Sequence, residues 1–408
     1  MGYSCTRIER REALLEKKGI GAGVMIWFRT WRILELLGLA EDFAKVAHAV
    51  PDGSTGIGFD YRKSDVPHEG SRFHLFELPY GCIRFHRAHF LDTFIQHLPP
   101  GIAHFGKRLT SYSTSDSTGE TGLRFADGTE ATCDILVGCD GIKSAVREIM
   151  FRRLAEKNGN PELLKYIHPV WSGIVAYRGL VPVEKLRKGD ANHRAVQNPM
   201  MYCGQSKHVV SYAISQGTIV NVITFVSQLK KEGTEWNAPW VEECSREELL
   251  DCFSGWEPEV CELLECIEKP TRWGLHMLKP IPTYVSRNVV LVGDSAHAML
   301  PHQGAGAGQA IEDAYTLAAL LGDPSVTPST LPSALAAYEA IRLPQANHVL
   351  RGSRESGMMY EFNSALRDRY TELGPAIEHM WDWLWVRGPE KDARRALAMM
   401  KSQVQTRL

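Results

Sequence analysis

The chain has 408 residues, enough for two domains with a sizeable core. Its 46 Lys and Arg against 48 Asp and Glu give a formal net charge of −2, and it is 44% hydrophobic, a balance that points away from nucleic-acid and membrane-surface partners. No apolar run reaches transmembrane length and no secretory signal is visible, while nine cysteines without C-x-x-C spacing suit a reducing, cytoplasmic setting rather than a disulfide framework.

In chain order, Arg7 to Arg11 reads as the end of a strand carrying an acidic residue, Glu9. Gly19 to Val24 approaches the pattern G-x-G-x-x-G, but no β run precedes it and Val24 stands where the last Gly is required. Ile33, Leu34, Leu37 and Leu39 space a short helix closed by Gly38. Ile83 to Arg87 leads into a helix through Phe90, Leu91, Phe94 and Leu98, with Arg87 at its start. Cys133 to Arg147 gives a short buried strand (Ile135 to Val137), a turn Gly138-Cys139-Asp140-Gly141, and a helix that Ser144 is placed to cap.

From about 166 to 270 the pattern becomes alternating, in Gly173 to Leu180, Val209 to Ile214 and Thr218 to Val226, with Gly217 as a turn. An antiparallel sheet is expected. Arg178 sits there among apolar neighbours and so needs a partner, either an anionic ligand or a core carboxylate. Tyr212 lies in the next strand, as an ordinary strand aromatic or a substrate contact.

Asn288 to Ala314 is the most informative stretch. Val289 to Val292 runs into Gly293-Asp294, then a turn rich in Pro and Gly, then a helix through Ile311, Tyr315, Ala318 and Leu321. A helix start stripped of side chains presents unpaired N–H groups and a positive dipole end. Gly304, Gly306 and Gly308 let a flat ligand approach the backbone. Residues 330 to 408 read as helical, and Trp381, Trp383 and Trp385 are expected to pack on the body or on a partner subunit, a homodimer included. His297 and His302 lack spaced partners for a metal, and no Ser-His-Asp or nucleophile-elbow pattern is present.

The Gly-Asp segment at Asp294 and the Asp-Gly segment at Asp140, about 150 residues apart and in this order, resemble the two signatures of the FAD-dependent aromatic-ring monooxygenases of the p-hydroxybenzoate and salicylate hydroxylase type. The overall pattern looks most like fungal members that serve secondary metabolism. The resemblance implies an α/β fold: a Rossmann-like FAD-binding domain, discontinuous over 1–165 and 271–330, an inserted antiparallel-sheet substrate domain over 166–270, and a helical C-terminal region over 331–408.

It also implies that Asp294 binds the FAD ribityl chain and that Gly304, Gly306 and Ala307 face the pyrimidine edge of the flavin. By the same resemblance Ala22 and Gly23 form a flavin-side turn, Glu9 binds the adenosine ribose, and Asp140 serves the pyrophosphate region and NAD(P)H. Arg87 reaches FAD unless it is a surface residue at a helix start, and Arg178 and Tyr212 hold a substrate phenolate as the catalytic pair. The implied reaction takes electrons from NAD(P)H and, through a flavin hydroperoxide, inserts one atom of dioxygen into an aromatic or polyketide-like molecule, with or without loss of carbon dioxide. An epoxidase or oxidase acting on a non-aromatic molecule, or a non-catalytic homologue, stays open. The resemblance begins after the family's first βα unit, so about thirty upstream residues are expected to be absent and FAD binding by the chain as written to be weak or lacking, a longer form being the working enzyme.

Overall fold

The computed structural model describes residues 7–8, 23–48, 51–115, 119–189 and 192–407. Glu9 and Ala22 lie outside the described residues. The fold is α/β with a helical C-terminal part. One parallel pair joins Leu136–Gly138 to Val289–Leu291, with Leu136 opposite Val289 and Gly138 opposite Leu291. Val285–Ser286 adds an antiparallel edge to that pair. Arg7–Ile8 runs parallel to Ala103–His104, and Gly23–Ile26 pairs antiparallel with Ile83–His86.

The larger sheet has eight strands, in the order 241–243, 271–277, 170–182, 219–227, 207–214, 200–204, 55–63 and 71–79. The three strands expected between 170 and 227 are all present, and Ser215–Gly217 makes the turn between two of them with positive φ throughout. The sheet differs from expectation in two respects. It is mixed, because Met200–Gly204 pairs parallel with Thr55–Lys63, and it draws strands from 55–79 and 271–277, outside the span of 166–270. The strand 55–63 escapes a reading by pattern because it carries charges inward. Asp60 and Arg62 are both buried, each held by an opposite charge: Arg72 Nε donates to Asp60 at 2.8 Å, and Arg62 Nη2 lies 3.2 Å from Glu257 Oε2.

Successive side chains of a strand point to opposite faces, and both faces of this sheet are covered. Val175, Tyr177, Val209, Val222 and Tyr202 face one way and pack with Leu249, Val260 and Leu263 of the helices Arg246–Cys252 and Pro258–Glu265. Ala176, Met201, Val210, Tyr212 and Phe225 face the other way, toward Met25, Trp27, Leu300 and Ala305. That second face is the floor of the site described below.

The strand Val289–Leu291 leads through Gly293 into a short helical turn, Asp294–His297, and then through Pro301–Gln303 into the helix Gly306–Leu321. This helix is fixed by a buried charge network. Arg342 Nε reaches Asp313 Oδ1 at 2.7 Å and its Nη1 reaches Glu312 Oε2 at 3.1 Å. Arg29 bridges Glu312 (2.9 Å) and Asp392 (2.6 Å). Asp313 Oδ2 also accepts from the Gly293 backbone N–H at 2.9 Å and lies 2.5 Å from His297 Nε2. The network therefore ties the glycine-rich helix to the Gly-Asp turn. It also joins the helix to those that carry Arg29 (Phe28–Leu36), Arg342 (Leu331–Tyr360) and Asp392 (Pro389–Arg407). No helix among the described residues is long and apolar enough to cross a membrane.

Candidate functional site

The two signature turns are neighbours in space. Ser295 Oγ donates to the Gly138 carbonyl at 2.6 Å, and the buried Arg147 donates to the carbonyls of Ser295 (2.8 Å) and Ile167 (2.9 Å). Arg147 is thus a clamp between the turns. The two aspartates differ in what they have left to offer. Asp140 accepts from Ser144 Oγ (2.5 Å), Ala145 N (2.7 Å) and Val146 N (3.1 Å), so its carboxylate caps the helix Ala145–Asn158. Asp294 is exposed among buried neighbours and carries no hydrogen bond or ion pair among the described residues.

The start of the helix Gly306–Leu321 is open. Its N-cap, Ala305, makes no side-chain cap, and no acidic residue occupies the first turn. Gly304 has φ of +57°, Gly304, Gly306 and Ala307 are half-buried, and a Cβ on Gly306 would meet only Met299 at 3.9 Å. These uncapped N–H groups suit a planar, electron-rich or anionic group. The turn before them is held firmly. Trp27 Nε1 donates to the Gln303 carbonyl (2.9 Å), and Gln303 Nε2 donates to Ser356 Oγ (3.0 Å) and the Met380 carbonyl (2.8 Å). Trp383 Nε1 donates to Gln303 Oε1 at 3.2 Å. Trp381 packs edge-on to Trp27 at 4.8 Å, while Trp385 is exposed.

Arg178 and Tyr212 lie on the floor of the sheet. The Arg178 guanidinium sits 5.0 Å over the Trp273 ring and has no carboxylate partner or hydrogen bond among the described residues. Burial pulls its pKa down, nearby Tyr212 opposes that, and Arg87 adds to it. Burial likewise raises the Tyr212 hydroxyl, against the pull of Arg178. Arg178, Tyr212 and Arg87 therefore share one electrostatic neighbourhood, with Arg87 exposed at the start of the helix Arg87–Gln96. Gly23 touches the same place. A Cβ there would stand 2.7 Å from the Tyr212 ring, and Gly23 N donates to Asn221 Oδ1 at 3.2 Å. Gly23→Ala is expected to force the ring aside and to cost about 1–3 kcal/mol. Thermal melting checks this, and a melting point equal to wild type would show that the ring has room.

Three further polar groups lie on this side of the sheet, and two of them, Arg84 and His208, carry no local signal in the sequence. Arg84 is buried beside Tyr212 with its Nε unpartnered, and burial lowers its pKa. His208 and His302 are both buried, with ring centroids 5.1 Å apart, and His208 stacks on Phe225 at 4.2 Å. His208 Nδ1 lies 2.9 Å from Glu361 Oε1, whereas His208 Nε2 and His302 Nδ1 have no partner. Burial brings both imidazoles down to about 3, so both are neutral near pH 7. Two buried imidazole nitrogens left without a partner are what a polar ligand would satisfy. Among the described residues no group of three or more His, Cys, Asp or Glu is placed to hold a metal.

An FAD binding domain family model matches residues 195–353. The chain is 39% identical to a salicylate hydroxylase of Pseudomonas putida, over 98% of this chain and 91% of that protein. It is 35% identical to a 6-methylsalicylate 1-monooxygenase of Aspergillus terreus, over 95% of this chain and 85% of that protein. A solved salicylate hydroxylase substrate complex superposes with a TM-score of 0.84 at 35% identity, covering 92% of this chain and 90% of that one.

Proposed function

Because the chain belongs to the FAD-dependent aromatic-ring monooxygenases, we propose that it hydroxylates a phenolic acid of the salicylate class, with NAD(P)H as electron donor and dioxygen as oxidant. FAD, when bound, supplies electron transfer and the activation of dioxygen. The residues present fit it: an uncapped helix start at Gly306, a turn with positive φ at Gly304, and the unpartnered Asp294 carboxylate as acceptor for a ribityl hydroxyl. Gly23 and Arg87 would flank it on the side of Tyr212. Asp140 would serve it indirectly, by fixing the neighbouring turn. On this reading Asp294→Ala weakens FAD binding about tenfold to a hundredfold, the loss of a hydrogen bond to a charged group. Titration of apoprotein with FAD measures it, and an unchanged affinity would remove Asp294 from the cofactor site.

The observation that carries the substrate class is the polar lining of an otherwise apolar floor. Arg178 is a cation without a carboxylate, and His208 Nε2 and His302 Nδ1 are buried and unpartnered. A carboxylate or phenolate answers the first, and a phenol hydroxyl answers the second. Tyr212 stands beside Arg178 to donate to the same anion. The apolar side chains of Val210, Ile214 and Phe225 would exclude water around the reacting ring. NAD(P)H consumption with salicylate and 6-methylsalicylate, read with product masses, tests this. Replacement of the carboxylate by hydroxyl marks attack at the carbon that bears it, and gain of one oxygen marks attack elsewhere on the ring. Consumption that no phenolic acid stimulates would end this reading.

A further inference from the structure

His208 and Glu361 form a buried pair that the cofactor cradle does not use. They come from elements far apart in the chain, the strand Lys207–Ile214 and the end of the helix Leu331–Tyr360. They meet at 2.9 Å with both side chains at most 2% exposed. The groups facing Glu361 are His208, His302, Ser227 at the end of its strand, Cys203 on the adjoining strand, and Asn363, whose Nδ2 lies 3.4 Å from Glu361 Oε2. No lysine or arginine pairs with it among the described residues. Burial therefore raises the Glu361 carboxyl to about 7, against the opposing pull of His302, Ser227 and Asn363. A carboxylate at His208 Nδ1 holds the proton on that nitrogen and leaves Nε2 as a lone-pair acceptor, the atom that is buried and unpartnered.

Resting on the salicylate-class reading above, we propose that Glu361 is a positioning residue that makes His208 the acceptor of the substrate's phenolic proton and itself takes up the proton that His208 gives up. The step conserves protons and charge. The phenol O–H bond breaks and its proton joins His208 Nε2. The proton on His208 Nδ1 passes to Glu361 Oε1. The phenol becomes phenolate, Glu361 becomes a neutral acid, and His208 ends neutral, so no imidazolium persists against Phe225. Glutamine at 361 would keep the hydrogen bond to Nδ1 and lose the ability to accept a proton.

The probe is 5-nitrosalicylate, whose phenolate is coloured, with the full-length chain and FAD present. In the wild type the bound phenol ionises at a lower pH than the same phenol free in water, and that midpoint is the reference for the variant. In Glu361→Gln the midpoint rises by about one pH unit or more, a tenfold or greater loss of phenolate at neutral pH. NAD(P)H consumption in the variant falls in step and recovers in alkali. A second measurement needs no variant: at pH 8 the wild type develops phenolate colour without releasing a proton to solvent, because the proton stays on Glu361. One proton released per bound phenolate, or an unchanged midpoint in a folded Glu361→Gln, overturns the proposal. A wild type that neither binds the probe nor consumes NAD(P)H with any salicylate overturns the substrate reading beneath it.

Discussion

Replacing Arg342 by leucine is expected to destabilise the protein by about 3–5 kcal/mol, the usual result of removing one partner from a buried ion pair. The guanidinium is 1% exposed and serves two carboxylates at once, Asp313 and Glu312. It also donates to Gln309 Oε1 at 2.8 Å and Gln345 Oε1 at 2.7 Å. Leucine supplies apolar volume and takes away the donor that Asp313 Oδ1, Glu312 Oε2, Gln309 Oε1 and Gln345 Oε1 share. Asp313 keeps His297 and the Gly293 amide, and Glu312 keeps Arg29, so the loss stays below that of two isolated charges. The damage should reach the proposed cofactor site, because Asp313 fixes the turn that carries Asp294. Urea unfolding and FAD content measure the two effects together. By contrast, an exposed pair such as Arg369 with Glu372 is worth about 0–1 kcal/mol. If Arg342→Leu unfolded at the wild-type urea midpoint, the buried network would not be what secures this helix.

Arg178→Ala is expected to lower kcat/KM for a phenolic acid by about 10²–10³-fold while leaving FAD content unchanged. The expected loss follows from what the guanidinium lacks. It is packed on Trp273, drawn down in pKa by burial, and has no carboxylate among the described residues. A protein seldom keeps such a charge without use, since an unpaired cation costs several kcal/mol to desolvate. On the function proposed above an anionic substrate would restore the balance, and would be held most strongly where charge gathers as the ring is attacked. Arg178→Lys keeps the charge but loses the planar fork, so it should recover only part of the rate. Tyr212→Phe should lose less than Arg178→Ala, since it removes one neutral donor. Unchanged turnover in Arg178→Ala would take this residue out of the mechanism.

Sequence pattern reveals best what is local. The strand, Gly-Asp turn and glycine-rich helix around Asp294 are legible because glycines, a short apolar run and helical spacing lie within about one supersecondary unit. The same is true of the strands 170–182, 207–214 and 219–227, but not of Met200–Gly204 between them, which has no polar alternation to mark it. The strand Thr55–Lys63 is harder to see, because Asp60 and Arg62 look like solvent-facing charges until Arg72 and Glu257 appear beside them. His208 and Glu361 are 153 positions apart and share no motif, so only the fold could join them. Arg84 is similar, an arginine in an ordinary strand whose nearness to Tyr212 of another sheet only the fold reveals. Asp140 shows the opposite limit. Its signature is visible, yet only the atoms reveal that its carboxylate is occupied by the amides of Ala145 and Val146.

The side chain and carbonyl of Gln303 are gripped from four directions, by Trp27, Ser356, Met380 and Trp383. The bend ahead of the glycine-rich helix is therefore finished before any guest arrives, and little chain entropy is surrendered when one docks. Two of those grips come from the last thirty or so residues, so substitutions late in the chain would be felt directly at this bend.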